Sequence, residues 1–118
     1  MDEICEALLS LRAPLEKDEY DLHRRVMEAL AAAGLSCRHE VKLGPRCRID
    51  LMCGEIGIEI KRGRVERAKL WEQLRRYAAC EGVAGLIVVC ERHADIPRTI
   101  GGKPVRLIGL NRLWGIAL

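Results

Sequence analysis

Asp50, Glu59 and Lys61 are the residues whose types and spacing are best suited to chemistry. They stand in the stretch Arg-Ile-Asp-Leu-Met-Cys-Gly-Glu-Ile-Gly-Ile-Glu-Ile-Lys, residues 48 to 61. If this stretch is a β-hairpin turning at Gly54-Glu55, Asp50 lies directly across from Glu59. Lys61, two residues further on, points to the same face. Like charges in that position, with Cβ atoms roughly 5 Å apart, destabilise a sheet, so a purely structural hairpin has no reason to carry them. A divalent cation between the carboxylates reverses the sign of the interaction. The pattern therefore predicts a metal site with an ammonium group beside it.

The elements that must position these groups are legible in the apolar spacing. Ile49, Leu51 and Cys53, then Ile56, Ile58 and Ile60, alternate on either side of Gly54-Glu55, the period of half-buried strands. A type II′ turn with Gly54 at positive φ sets Cys53 against Ile56, Leu51 against Ile58 and Ile49 against Ile60 on one apolar face. Upstream, Glu19-Tyr20-Asp21-Leu22-His23 opens a helix with Leu22, Val26, Met27 and Leu30 at helical spacing, stopped by Gly34. The strand Ser36 to Leu43 follows and brings Glu40 near the hairpin as a further carboxylate. Val65 to Cys80 reads as a helix with Leu70, Leu74 and Ala78 on one stripe and Trp71 beside it. Val83 to Cys90 is a continuous apolar run, as a buried central strand requires. Beyond it lie a short helix or loop over Asp95 to Ile100, a Gly101-Gly102 turn, and the strand Val105 to Leu110. A terminal helix over Arg112 to Leu118, capped by Asn111, completes the chain. Residues 2 to 12 read as an added N-terminal helix.

The spacing Asp50-x8-Glu59-x-Lys61 resembles the PD-(D/E)XK, or restriction-endonuclease-like, nuclease superfamily, with Ile49 where a proline is expected. Gln73-Leu74-Arg75-Arg76-Tyr77 resembles the Gln-x-x-x-Tyr motif of its RecB-like branch, and Gln73 is the only glutamine in the chain. The small Holliday-junction resolvases of the superfamily are a further likeness in size. The resemblance implies an α/β fold of αβββαβ order, a mixed sheet flanked by helices, in a single domain spanning residues 1–118. It also implies metal-dependent hydrolysis of phosphodiester bonds in DNA. Asp50 and Glu59, with the backbone carbonyl of Ile60, would hold Mg²⁺ or Mn²⁺. Lys61 would orient the attacking water, and Gln73 would position that water or Lys61. Tyr77 would support the site or touch the nucleic acid. Glu19 is the expected glutamate of the N-terminal helix, with His23 one turn on as the alternative. The alternative function is a domain of the same fold that binds nucleic acid or protein without cutting.

Composition narrows the partners. The chain has 118 residues, a net charge of +3, and 15 Arg against 5 Lys, a bias toward bidentate contacts with phosphate or carboxylate. Arg62, Arg64, Arg67 and Arg76 cluster around the expected site and are assigned to a phosphodiester backbone along with Tyr77. No apolar run is long enough to cross a membrane and the first residues do not form a signal peptide, so a cytoplasmic protein is expected. The six cysteines form no Cys-x-x-Cys pair, which excludes the usual zinc frameworks. Most read as small core residues, with an inter-strand bridge from Cys37 to Cys47 or Cys53 left open. Asn111 and Gln73 are the only side-chain amides, a scarcity found in thermophiles. The chain carries no separate module for reading bases, so structure-selective or sequence-tolerant cutting is expected. Paired incisions need two sites, which predicts a homodimer, with Leu110 to Leu118 either contributing to its interface or packing on the core.

Overall fold

The computed structural model describes residues 1–11 and 19–110, the side chains of 19–21 excepted. Their order is α1 (Asp2–Leu8), α2 (Glu19–Ala32), β1 (Arg38–Gly44), β2 (Cys47–Cys53), β3 (Ile56–Lys61), α3 (Arg67–Ala78), β4 (Gly85–Cys90), β5 (Thr99–Ile100) and β6 (Lys103–Gly109). The strands form one mixed sheet in the order β1-β2-β3-β4-β6-β5. β1, β2 and β3 pair antiparallel, whereas β3, β4 and β6 run parallel. The chain is thus α/β, with helices covering both faces of the sheet.

Each parallel connection requires the chain to return across the sheet, and α3 makes that crossing between β3 and β4. Leu70, Leu74, Tyr77 and Ala78 bury against Met52, Leu86, Val88 and Val105 on one face. α1 and α2 cover the other, where Leu8, Leu22, Val26 and Leu30 pack on Leu51, Ile58, Ile60, Ile87 and Val89. β4 is buried along its whole length, as its unbroken apolar sequence requires. At the end of α2, Gly34 takes φ +77° and Leu35 N–H donates to the Leu30 carbonyl, closing the helix. Gly101 and Gly102 both have positive φ, as a tight hairpin between β5 and β6 demands.

Three expectations change in the fold. The expected helix over residues 2–12 ends at Leu8. The segment before Gly101 holds the short edge strand β5, paired with β6. Leu110, assigned to a dimer interface or to core packing, is fully buried in the core under α1 and α2, so the interface alternative falls for this residue. The terminal helix and the rest of the expected interface lie outside the described residues.

The bridge left open in the sequence is Cys37–Cys53. Pairing of Arg38 with Met52 puts Cys37 directly across from Cys53 at the next step, while Cys47 lies at the far end of β2.

Candidate functional site

The hairpin between β2 and β3 forms in the expected register, with Cys53 opposite Ile56 and Leu51 opposite Ile58. Gly54 takes φ +62° while Glu55 keeps negative φ, consistent with a type II′ turn. Beyond Leu51 and Ile58 the ladder stops, although the expectation was for it to continue through Asp50-Glu59 and Ile49-Ile60. Side chains take over the hydrogen bonds that the backbone gives up. Ile60 N–H donates to Asp50 Oδ2 at 2.8 Å, and Asp50 N–H donates to Glu59 Oε1 at 3.4 Å.

The opening coincides with a change of face. Ile49, expected on the same side as Leu51 and Ile60, packs instead in the core beneath α3. Residue 50 is the step at which the alternation breaks, and across the sheet from it Glu40 is held at φ +50°, outside ordinary strand geometry. Ile49 fills the space left by Gly57: a Cβ at Gly57 would lie 2.5 Å from Ile49 Cδ1 and 3.0 Å from Leu86 Cδ2.

Glu59 occupies the gap between the strands and is only 4 % exposed. Lys61 Nζ lies 3.1 Å from its Oε2, and Tyr77 from α3 lies with its hydroxyl 3.2 Å from its Oε1. That hydroxyl also donates to the Arg48 carbonyl at 2.9 Å. A phenol has one proton, and the carbonyl can only accept, so both contacts are satisfied together when Glu59 carries a proton and donates to Tyr77. The electrostatics agree: burial, then the charge of Asp50, push the Glu59 carboxyl up to about 7, with Lys61 opposing them. Burial and the nearby Glu59 likewise push the Tyr77 hydroxyl well above its ordinary value.

His23 reaches the same place from α2, with Nε2 4.0 Å from Asp50 Oδ2. Its ring meets that of His39 edge to face, with centroids 6.5 Å apart. Of the two residues considered on this helix, His23 is the one whose side chain is described, since that of Glu19 falls outside the described residues. Glu40 does not join the carboxylates; it is exposed and lines the groove between α2 and β1 with His39 and Met27. Among the described residues no group of three His, Cys, Asp or Glu side chains is placed to share a metal ion.

Among the described residues the oxygen donors able to hold a cation are therefore Asp50, Glu59 and a backbone carbonyl. Ile60 N–H points at Asp50, and in a strand the carbonyl of the same residue faces the same side, so the Ile60 carbonyl is directed into the gap. Such a set fits a small hard cation, which binds through one or two carboxylates and keeps several waters. The charge repulsion between Asp50 and Glu59 is the term a cation would reverse.

The remaining expected residues divide clearly. Arg64, Arg67 and Arg76 are exposed. Arg67 and Arg75 both stack on Trp71, 5.2 and 5.7 Å from the ring centre, and the Trp71 indole N–H donates to the Asp95 carbonyl at 2.8 Å. Arg62 differs from the expectation for a backbone-binding residue: its Nε lies 3.0 Å from Glu91 Oε2 and its Nη1 is buried without a partner among the described residues. Tyr77, also assigned to nucleic acid, is 2 % exposed, so it serves the carboxylate from within the core. Glu72 is exposed and Gln73 half-buried on the Tyr77 side of the helix, but no hydrogen bond joins Gln73 to another described residue.

Two neighbours escaped the sequence reading. Glu91 follows an all-apolar strand and pairs with Arg62, and Cys90 stands across from Lys61 in the β3-β4 register. Both lie at the carboxyl ends of parallel strands, where α/β sheets carry their sites, and that position is the signal that would have found them. Set against protein-family models, curated proteins and solved structures, the chain matches none.

Proposed function

We propose that the protein is a metal-dependent nuclease with a restriction-endonuclease-like core, hydrolysing phosphodiester bonds of DNA in a structure-selective or sequence-tolerant way. The observation that carries this reading is the break in the β2-β3 ladder. Two carboxylates stand where backbone pairing should continue, one of them buried, with Lys61 bonded to it. Repulsion and burial both disfavour this arrangement in a purely structural role.

Asp50, Glu59 and the Ile60 carbonyl would hold Mg²⁺ or Mn²⁺. The bound ion supplies Lewis acidity toward a phosphoryl oxygen and a more acidic water. Lys61, paired with Glu59, would hold the attacking water and balance charge developing on phosphate. Tyr77 fixes the orientation of Glu59, and half-buried Gln73, on the same helix, would serve as a positioning residue. The exposed Arg64, Arg67 and Arg76 would meet the phosphodiester backbone. A homodimer would set two such sites for paired incisions. No described helix is long and apolar enough to cross a membrane.

The test is incubation with labelled duplex, branched and single-stranded DNA in Mg²⁺ and in Mn²⁺, with light scattering for the oligomeric state. Cleavage by the wild type, lost in Asp50→Ala and Lys61→Ala with unchanged circular dichroism, supports the proposal. Binding of DNA without cleavage of any substrate supports the non-catalytic alternative, and undiminished turnover in either variant removes the assigned site.

A further inference from the structure

Four of the cysteines lie in two pairs at the two ends of β2, the strand that carries Asp50. At its end Cys53 is bonded to Cys37. At its start Cys47 lies near Cys80, which follows the last turn of α3: Tyr77, three residues before Cys80, donates to the carbonyl of Arg48, the residue after Cys47, and both cysteines pack against the same core cluster. Cys80 Sγ is in turn 3.4 Å from the Arg76 carbonyl. Neither position is left to chance. Tyr77 holds the Arg48 carbonyl, one residue from Cys47, and Lys103 Nζ holds the Cys80 carbonyl at 2.9 Å. Both thiols are half-buried at the margin of the core beneath α3, within reach of small solutes. The other free thiols are placed differently: Cys90 is fully buried within β4, and Cys5 lies on α1, across the sheet.

We propose that Cys47 and Cys80 form a second intramolecular disulfide when the protein meets a small-molecule disulfide such as oxidised glutathione. The Cys47 thiolate attacks one sulfur of the reagent, forming a mixed disulfide and expelling one glutathione thiolate. Deprotonated Cys80 then attacks the Cys47 sulfur, closing the protein bridge and expelling the second glutathione. The protein dithiol is oxidised, the reagent is reduced to two thiols, and the protons from Cys47 and Cys80 pass to the departing thiolates through solvent. Burial and the neighbouring Cys80 hold the Cys47 thiol above its ordinary value, with Arg76 opposing them, so exchange is slow at neutral pH and faster near pH 9.

The bridge would join the start of β2 to the end of α3, on either side of the Tyr77 contact with Arg48. With the existing bond, both ends of the Asp50 strand would be covalently tied. Closing a loop that contains β3 and all of α3 should raise the thermal midpoint by on the order of 10 °C.

The test uses the whole chain, incubated with oxidised glutathione at pH 9, quenched with acid and alkylated in denaturant without reductant. Alkylatable thiols should fall from four to two. A non-reducing tryptic digest should join Cys47-Arg48 to the peptide Tyr77 to Arg92, and the same link should persist in Cys90→Ser, which removes the other thiol from that peptide. The gain in thermal midpoint should vanish in Cys47→Ser and in Cys80→Ser. Four alkylated thiols after oxidation, separate glutathione adducts on Cys47 and Cys80, or a link between two chains would overturn the proposal. Mapping on the wild type decides the matter even if a serine variant fails to fold.

Discussion

Glu59→Gln should stabilise the metal-free protein at alkaline pH and remove the proposed cation site in the same step. The Glu59 carboxyl is raised from its ordinary 4.5 to about 7 in the folded chain, chiefly by burial and then by Asp50. Between those two values the folded state keeps a proton that the unfolded state has released, so stability falls as pH rises through the window. Below it both states are protonated and nothing is lost; above it the loss is complete. At 1.36 kcal/mol per pKa unit the full loss is on the order of 3 kcal/mol. Glutamine reproduces the neutral acid, since its amide can donate to the Tyr77 hydroxyl oxygen while its carbonyl accepts from Lys61. Urea denaturation of both proteins in chelator, at pH 5 and at pH 8, measures the difference directly, and other titrating groups largely cancel. The advantage of the variant should be small at pH 5 and approach about 3 kcal/mol at pH 8. Added Mg²⁺ should stabilise the wild type at pH 8 and leave the variant unchanged. A variant that is no more stable than the wild type at pH 8, or an advantage independent of pH, would refute the account of a buried, proton-holding Glu59.

The other expectations concern the supports of that carboxylate. Gln73→Ala should lower any cleavage rate roughly 10- to 100-fold, as loss of a group that orients a catalytic water does, while Glu72→Ala changes it little; single-turnover kinetics compare the two. Tyr77→Phe leaves the Arg48 carbonyl and Glu59 without their hydroxyl and should destabilise the fold by about 1–3 kcal/mol in urea denaturation. Gly57→Ala forces a methyl against Ile49 and Leu86 in a closed core and should cost about 1–3 kcal/mol, checked by its thermal midpoint.

Much of this protein is determined within short stretches of its sequence. The alternation around Gly54-Glu55, the turn chemistry of Gly54 and the offset between Asp50 and Glu59 depend on a period of two and a local turn, and the structure keeps that offset as far as Leu51 and Ile58. The helix ending at Gly34, the buried strand β4 and the stripe of α3 are legible for the same reason: apolar spacing and a stop signal lie within one element. What the chain does not announce is decided where separate elements meet. The ladder opens at Asp50 because Ile49 turns to the α3 face and because Tyr77, brought over by the β3-α3-β4 crossing, completes a polar pocket for Glu59. Arg62 looks like its exposed arginine neighbours until the parallel pairing of β3 with β4 delivers Glu91 to it. Cys37 finds Cys53 only through the register of β1 on β2, and His23 approaches Asp50 only because α2 packs beneath the opened strands. Periodicity specifies which side of an element is apolar; it carries no information on which distant charge or thiol will face that side once the core has closed.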